Sequence, residues 1–165
     1  MKNYICINGN KTELTEEQLK QLGIELPKVN PFSRVRYLKE YYHIGIDGNV
    51  YSEFDQHCAF NEDCFNVANY CTDSAILEQR ALHETLNRLL WRYSMEHDGD
   101  KIDWAVASKN KYYIYYSYQD KMFIINYANT YRDVHTVYFY KYETAENAIE
   151  EIIKPFMKAH PEFKF

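Results

Sequence analysis

Glycine and proline are scarce in this chain, at five and four of 165 positions. So small a supply of permissive backbone leaves no room for a glycine-rich phosphate cradle, and G-x-x-x-x-G-K-[ST], G-x-G-x-x-G and G-x-S-x-G are all missing. The usual nucleotide-binding loops and the strained serine elbow are thereby excluded. No apolar run approaches the length of a membrane span, and no basic-then-apolar segment opens the sequence, so a cytoplasmic protein without a membrane partner is expected. Lysine and arginine never form a block. With 19 basic against 24 acidic residues the net charge is −5, which disfavours conventional tracking of nucleic-acid phosphates. Zinc spacing is lacking too, because Cys58, Cys64 and Cys71 are separated by five and six residues, whereas structural zinc ligands pair at shorter intervals. His83-Glu84 would need a second histidine at position 87, where Asn87 stands. No catalytic residue, cofactor or metal ligand is assigned from sequence. The four cysteines are expected reduced and buried.

What the chain has in abundance is tyrosine, 17 residues of it, concentrated between positions 111 and 142. Aromatic and β-branched residues fit a pleated, half-buried surface, so this stretch reads as three antiparallel strands. Alternation puts Tyr112, Ile114, Tyr116 and Tyr118 on one face of the first strand and Tyr113 and Tyr115 on the other. Gln119-Asp120 reverses the chain into residues 122–127, and residues 134–142 form the third run. A phenol has an apolar body and a hydrogen-bonding tip, which suits a surface that is half dry and half wet. Tyr113, Tyr115, Tyr118 and Tyr138 are therefore candidate partner contacts.

The flanking segments supply cover. Asn8-Gly9 is a two-residue hairpin signal between residues 4–7 and 11–14. Thr15 and Gln18 form a capping box for a short helix that stops at Gly23. Pro27 and Pro31 mark a boundary, giving a module at 1–30 and a core domain at 31–165. Asp47-Gly48 turns a second hairpin ending near Phe54, and residues 55–71 read as an irregular connection with one helical turn near 61–67. Thr72 is the expected cap of the longest helix, residues 73–97, in which Leu82, Leu86, Leu89, Leu90 and Tyr93 share a face. Trp104 is a core plug. Thr144 is expected to cap a last helix, with Ala148, Ile149, Ile152 and Ile153 inward and Pro155 kinking or ending it. The fold class is α+β: an antiparallel sheet packed by one long helix and a shorter C-terminal helix, with an N-terminal hairpin-helix attachment.

Acidic side chains mark both longer helices, Asp73, Glu78 and Glu84 on one and Glu143, Glu146, Glu150 and Glu151 on the other. Such a surface can imitate phosphates and enter a basic channel, and Glu146 and Glu150 join the tyrosines as candidate contacts. Several segments, among them Tyr41-Tyr42-His43-Ile44, Asp47-Gly48, Asn69-Tyr70, Trp91-Arg92-Tyr93 and Ile102-Asp103-Trp104, resemble small proteins carried by phages and mobile elements of Gram-positive bacteria. That resemblance covers residues 34–153 and carries no catalytic residue. In general character the chain is similar to inhibitors of host defence, including anti-CRISPR proteins. The resemblance implies a non-enzymatic protein that binds and blocks a host protein, a CRISPR effector nuclease or a comparable enzyme, in the host cytoplasm. Two other readings stand beside it: a nucleic-acid-associated regulator using Arg34, Arg36, Lys39 and stacking tyrosines, and an enzyme built around His57, Cys58 or His83. An unpaired strand would also serve as a template for a homodimer.

Overall fold

A computed structural model describes residues 3–7, 10–23, 30–97 and 99–164. The chain is α+β and falls into two compact units, Met1–Ser33 and Arg34–Phe165. In the first, β1 (Asn3–Ile7) pairs antiparallel with β2 (Asn10–Leu14), in a register that sets Ile7 against Asn10. The Asn8-Gly9 turn lies outside the described residues. Helix α1 (Glu16–Gln21) opens on the expected box: Thr15 Oγ1 accepts from the Gln18 N–H at 3.3 Å and Gln18 Oε1 accepts from the Thr15 N–H at 2.9 Å. Gly23 follows its end at φ +71, a conformation that costs a residue without a side chain little.

In the second unit, β3 (Glu40–Ile44) and β4 (Val50–Phe54) form the hairpin read from Asp47-Gly48, with Gly48 at φ +84. The connection after Phe54 is more regular than expected. It contains α2 (Ala59–Asn66), organised by the fully buried Asn61, whose Oδ1 accepts the Gln56 N–H at 2.8 Å and whose amide donates to the Tyr41 hydroxyl at 2.9 Å. A buried side-chain amide is an organising group that hydrophobic periodicity does not register. Helix α3 (Ser74–Glu96) is capped by Asp73, not Thr72: its carboxylate accepts from the N–H groups of Ala75 and Ile76. One end of α3 packs Leu77 and Ala81 on Ile44 and Cys71. Farther along, Leu86 joins Ile149, Ile153, Phe156 and Phe163, and Tyr93 joins Phe139, Ala145 and Ala148.

Three strands, β5 (Lys111–Ser117), β6 (Met122–Ala128) and β7 (Tyr138–Phe139), make one antiparallel sheet in the order β6-β5-β7. The third strand is two residues long, far shorter than the 134–142 run suggests; residues 129–137 form no strand, and the Asn129 carbonyl accepts from Lys111 while the His135 carbonyl accepts from Asn87. Helix α4 (Tyr142–Ala148) begins at the Lys141 cap, so Thr144 is a buried first-turn residue and no cap. Pro155 does not end the helix. A π-helical turn, Ile149–Ile153, leads directly into α5 (Lys154–Ala159), with the proline in its first turn. Proline has no N–H to give to a carbonyl one turn back, and a widened turn just before it accommodates that loss without breaking the axis. The tail is docked: Phe163 is buried, and Gln79 on α3 donates to the Glu162 carbonyl and accepts from the Lys164 N–H. Among the described residues no helix is long and apolar enough to cross a membrane.

Candidate functional site

The pairing of β5 with β6 sets Tyr112, Ile114 and Tyr116 opposite Tyr127, Ile125 and Phe123. This face packs against the helices, since Ile114, Phe123 and Ile125 join the cluster around Leu86 and Ile149. Tyr113 and Tyr115 project from the other face, beside Asn126 and Ile124, and Tyr138 is Tyr113's partner on β7. Glu146 and Glu150 stand on the helical run that covers the first face. The sheet therefore lies between Tyr113 and Tyr115 on one side and the glutamates on the other, whereas Tyr118 meets the Tyr116 ring edge-on at 5.4 Å.

The four candidate tyrosines divide further. Tyr138 is 6% exposed and belongs to the core. Its ring meets Trp104 edge-on at 4.8 Å, its hydroxyl accepts from the Asp133 N–H at 3.0 Å, and its carbonyl accepts from the Ser94 hydroxyl at 2.6 Å. A residue so enclosed offers nothing to a partner. Trp104, expected as a core plug, is only half-buried and belongs to no core cluster among the described residues; the Lys111 ammonium lies 5.3 Å from its ring centre. Lys111 is itself buried and donates to the carbonyls of Val106 and Asn129, tying two loops to the sheet. Tyr113 is half-buried, and a hydrogen bond with Tyr131, aided by burial, raises its hydroxyl to about 12. Tyr115 and Tyr118 remain exposed.

On the helix side, β6 and the helical run enclose a groove of about 690 Å³. One wall is formed by residues 121–125, the turn residue Lys121 and the start of the edge strand β6. The other is a single helix face bearing Tyr142, Glu146, Ile149, Glu150, Lys154 and Met157. Tyr116 contributes to the floor. Glu150 is paired with Lys154 at 2.5 Å, while Glu146 and Lys121 have no ion pair among the described residues. The two glutamates are thus part of a concave site that has an aromatic floor, acidic and basic wall groups and an open strand edge. Tyr116, Tyr142, Lys121 and Lys154 were not singled out from sequence. The i, i+4, i+8 spacing of Tyr142, Glu146 and Glu150 was legible there, but its alignment with the β6 edge was not.

Three of the remaining acidic groups, Glu84, Glu151 and Asp73, are committed locally. Glu84 pairs with Arg80 and Arg88, Glu151 accepts from the Tyr93 hydroxyl, and Asp73 caps α3. Of the basic platform read from Arg34, Arg36 and Lys39, Arg34 is occupied, while Arg36 and Lys39 are exposed. Arg34 donates to Asp55, through Nε at 2.9 Å and Nη2 at 3.3 Å, and to Glu62 through Nη1 at 2.7 Å. Asp55 is fully buried and also accepts from the Tyr70 hydroxyl at 2.9 Å; the Arg34 contact, above all, lowers its carboxyl to about 2.

Cys58 and Cys6 are exposed, against the expectation of burial, whereas Cys64 and Cys71 are buried; all four are free thiols. Cys58 opens α2 at the surface, and its Sγ–H donates to Asn61 Oδ1 at 3.1 Å. His57 lies on Asp55 instead, with Nδ1 at 3.2 Å from Oδ1. Among the described residues no three His, Cys, Asp or Glu side chains come together to hold a metal ion. No family model matches the chain, and comparison with curated proteins and with solved structures finds no match either.

Proposed function

We propose that this chain is a non-catalytic binding protein that acts by engaging another protein through the groove between β6 and the α4–α5 run. The observation that carries this reading is the groove itself: an open strand edge faces a helix wall, over a floor of aromatic and aliphatic side chains. Concave, largely apolar sites with a few placed polar groups are where partners dock, and exposed strand edges offer backbone hydrogen bonds to an incoming chain. The resemblance to mobile-element proteins directs the choice of partner to a host defence nuclease, a CRISPR effector in the first instance. Immobilised protein is expected to retain such an effector from a panel expressed separately, and Glu146→Arg with Tyr116→Ala is expected to release it. Failure to retain any member of the panel removes the nuclease reading.

A second reading, association with nucleic acid, is favoured by a different surface. Arg88, Arg92 and the 59%-exposed Trp91 share the outer part of α3 around one shallow concavity. An exposed indole beside arginines is a stacking platform for unpaired bases. A gel shift on single-stranded oligonucleotides that weakens with salt and is lost in Trp91→Ala is the expected signature, and no shift at low salt eliminates it.

A further inference from the structure

Two concavities on the outer side of α3 meet at Trp91, the one residue that lines both. The first, about 360 Å³, holds Arg92 and the β3–β4 turn residue Ile46; the second, about 200 Å³, holds Trp104, Arg132 and Thr136. The indole is the ridge between them. Around a helix of about 3.6 residues per turn, Arg88 and Arg92 fall on one side of Trp91, and Asn87 and Ser94 on the other. Asn87 donates to the His135 carbonyl at 2.9 Å and Ser94 to the Tyr138 carbonyl at 2.6 Å, so the loop bearing Arg132 is tied along that second side. Arginine therefore flanks the indole across the helix axis.

Both concavities are built into the fold. A methyl group at Gly48 would stand 2.8 Å from Thr85 Oγ1, and one at Gly99 would stand 2.6 Å from the Ser94 carbonyl oxygen. Only glycine lets the two turns come so close to α3. The charges around Trp91 differ in availability. Arg88 is held by Glu84, and the Asp47 carboxylate accepts from the Tyr51 hydroxyl at 2.6 Å and the Asn49 amide at 2.8 Å, within its own hairpin. Arg92 and Arg132 have no hydrogen bond or ion pair among the described residues, and neither has the carboxylate of Asp133. The Arg132 guanidinium lies 5.9 Å from the Trp104 ring centre, a contact that positions the group without using its N–H donors.

Resting on the reading of Trp91 as a platform for nucleic acid, we infer that the occupant is a single strand that crosses α3 instead of running along it. One base stacks on Trp91, and the phosphates on either side of that base are held by Arg92 and Arg132. With a net charge of −5 the chain attracts phosphates too weakly to retain a strand by charge alone, so stacking has to add to it. Bases in a duplex are already stacked on one another, which selects unpaired ones.

The test uses the full chain and two labelled strands: an oligothymidine of about ten nucleotides, within the span of such sites, and its abasic counterpart of equal charge. Fluorescence anisotropy across a salt series reads affinity and its salt slope. Oligothymidine is expected to bind about tenfold more tightly than the abasic strand, and Trp91→Ala to remove that difference. Arg132→Gln and Arg92→Gln are each expected to lower the slope of log affinity on log salt by about 0.7, one phosphate contact apiece. Arg132→Lys keeps the charge and is expected to keep the slope, as is Arg36→Gln, at an exposed position outside both concavities. In Trp104→Phe the sole remaining indole is Trp91, whose emission oligothymidine is expected to quench and the abasic strand to leave unchanged. No binding of oligothymidine at low salt removes the nucleic-acid reading and this course with it. Binding that depends on Trp91 but keeps its full salt slope in Arg132→Gln or Arg92→Gln overturns the course across α3 alone, as does an equal fall in Arg36→Gln. Equal binding of the abasic strand, or of polyglutamate of the same charge, overturns the stacked base and makes the surface a site for acidic polymers.

Discussion

The β3–β4 hairpin with α2 and the three-stranded sheet with its helices sit in one unit but are held by opposite means. The first is organised around buried polar groups: Asp55 and Asn61 are fully enclosed, and Arg34, Tyr41 and Tyr70 direct their polar atoms at them. The second is held on its helix side by Leu86, Ile149, Ile153 and Phe156, with Glu146, Glu150, Lys121 and Lys154 around the groove there. Tyr41 and Tyr70 stack at 4.0 Å, and burial raises both hydroxyls to about 12. In that cluster nearly every donor has an internal partner, which makes it a poor surface for recognition despite its rich chemistry. The groove beside the sheet, chemically plainer, leaves Glu146 and Lys121 without an ion pair among the described residues.

The sharpest way to break the contrast is to remove the centre of the polar cluster. Asp55→Ala leaves Arg34 with Glu62 alone and removes the acceptor of the Tyr70 hydroxyl, and a loss of about 3 kcal/mol in chemical denaturation is expected. Within the sheet, Tyr138→Ala should cost about 3 kcal/mol, because a buried ring and its hydrogen bond are lost together. A smaller effect is expected from acid. Asp55 titrates at about 2 when folded, against an ordinary 3.8, so the folded state binds fewer protons than the unfolded one through this range. Its contribution, roughly 2 kcal/mol, is fully present well above pH 4 and fades as pH falls toward 2. Urea titrations at pH 5 and pH 2.5 should show this loss, and Asp55→Asn should flatten that part of the profile. Tyr115→Ala, on an exposed ring, should change stability by about 0.5 kcal/mol or less. Thiol labelling sharpens the comparison without altering the fold: Cys6 and Cys58 should react in the native protein, and Cys64 and Cys71 only after denaturation.

Local signals in the sequence were reliable where the deciding interaction is also local. The capping box at Thr15, the Asp47-Gly48 turn and the leucine face of α3 all appear as read, because each depends on residues within one or two turns of each other. Misreadings came from partners distant in sequence. Asn61 orders the connection by bonding Tyr41, twenty positions away, and Tyr138 is enclosed by Trp104 and Ser94. Pro155 was rightly identified as unable to complete a regular turn, but packing of Ile153 and Phe156 kept the axis going through a π turn.

Composition and periodicity alone determined that the chain is α+β, that its strands are tyrosine-rich and that one long amphipathic helix covers them, because those properties follow from side-chain alternation and backbone preference. Tertiary structure decided which tyrosines are enclosed, which charges are neutralised at home and where a strand edge faces a helix wall. Those outcomes depend on which of several similar side chains meets a partner across the fold, and spacing along the chain carries no record of that.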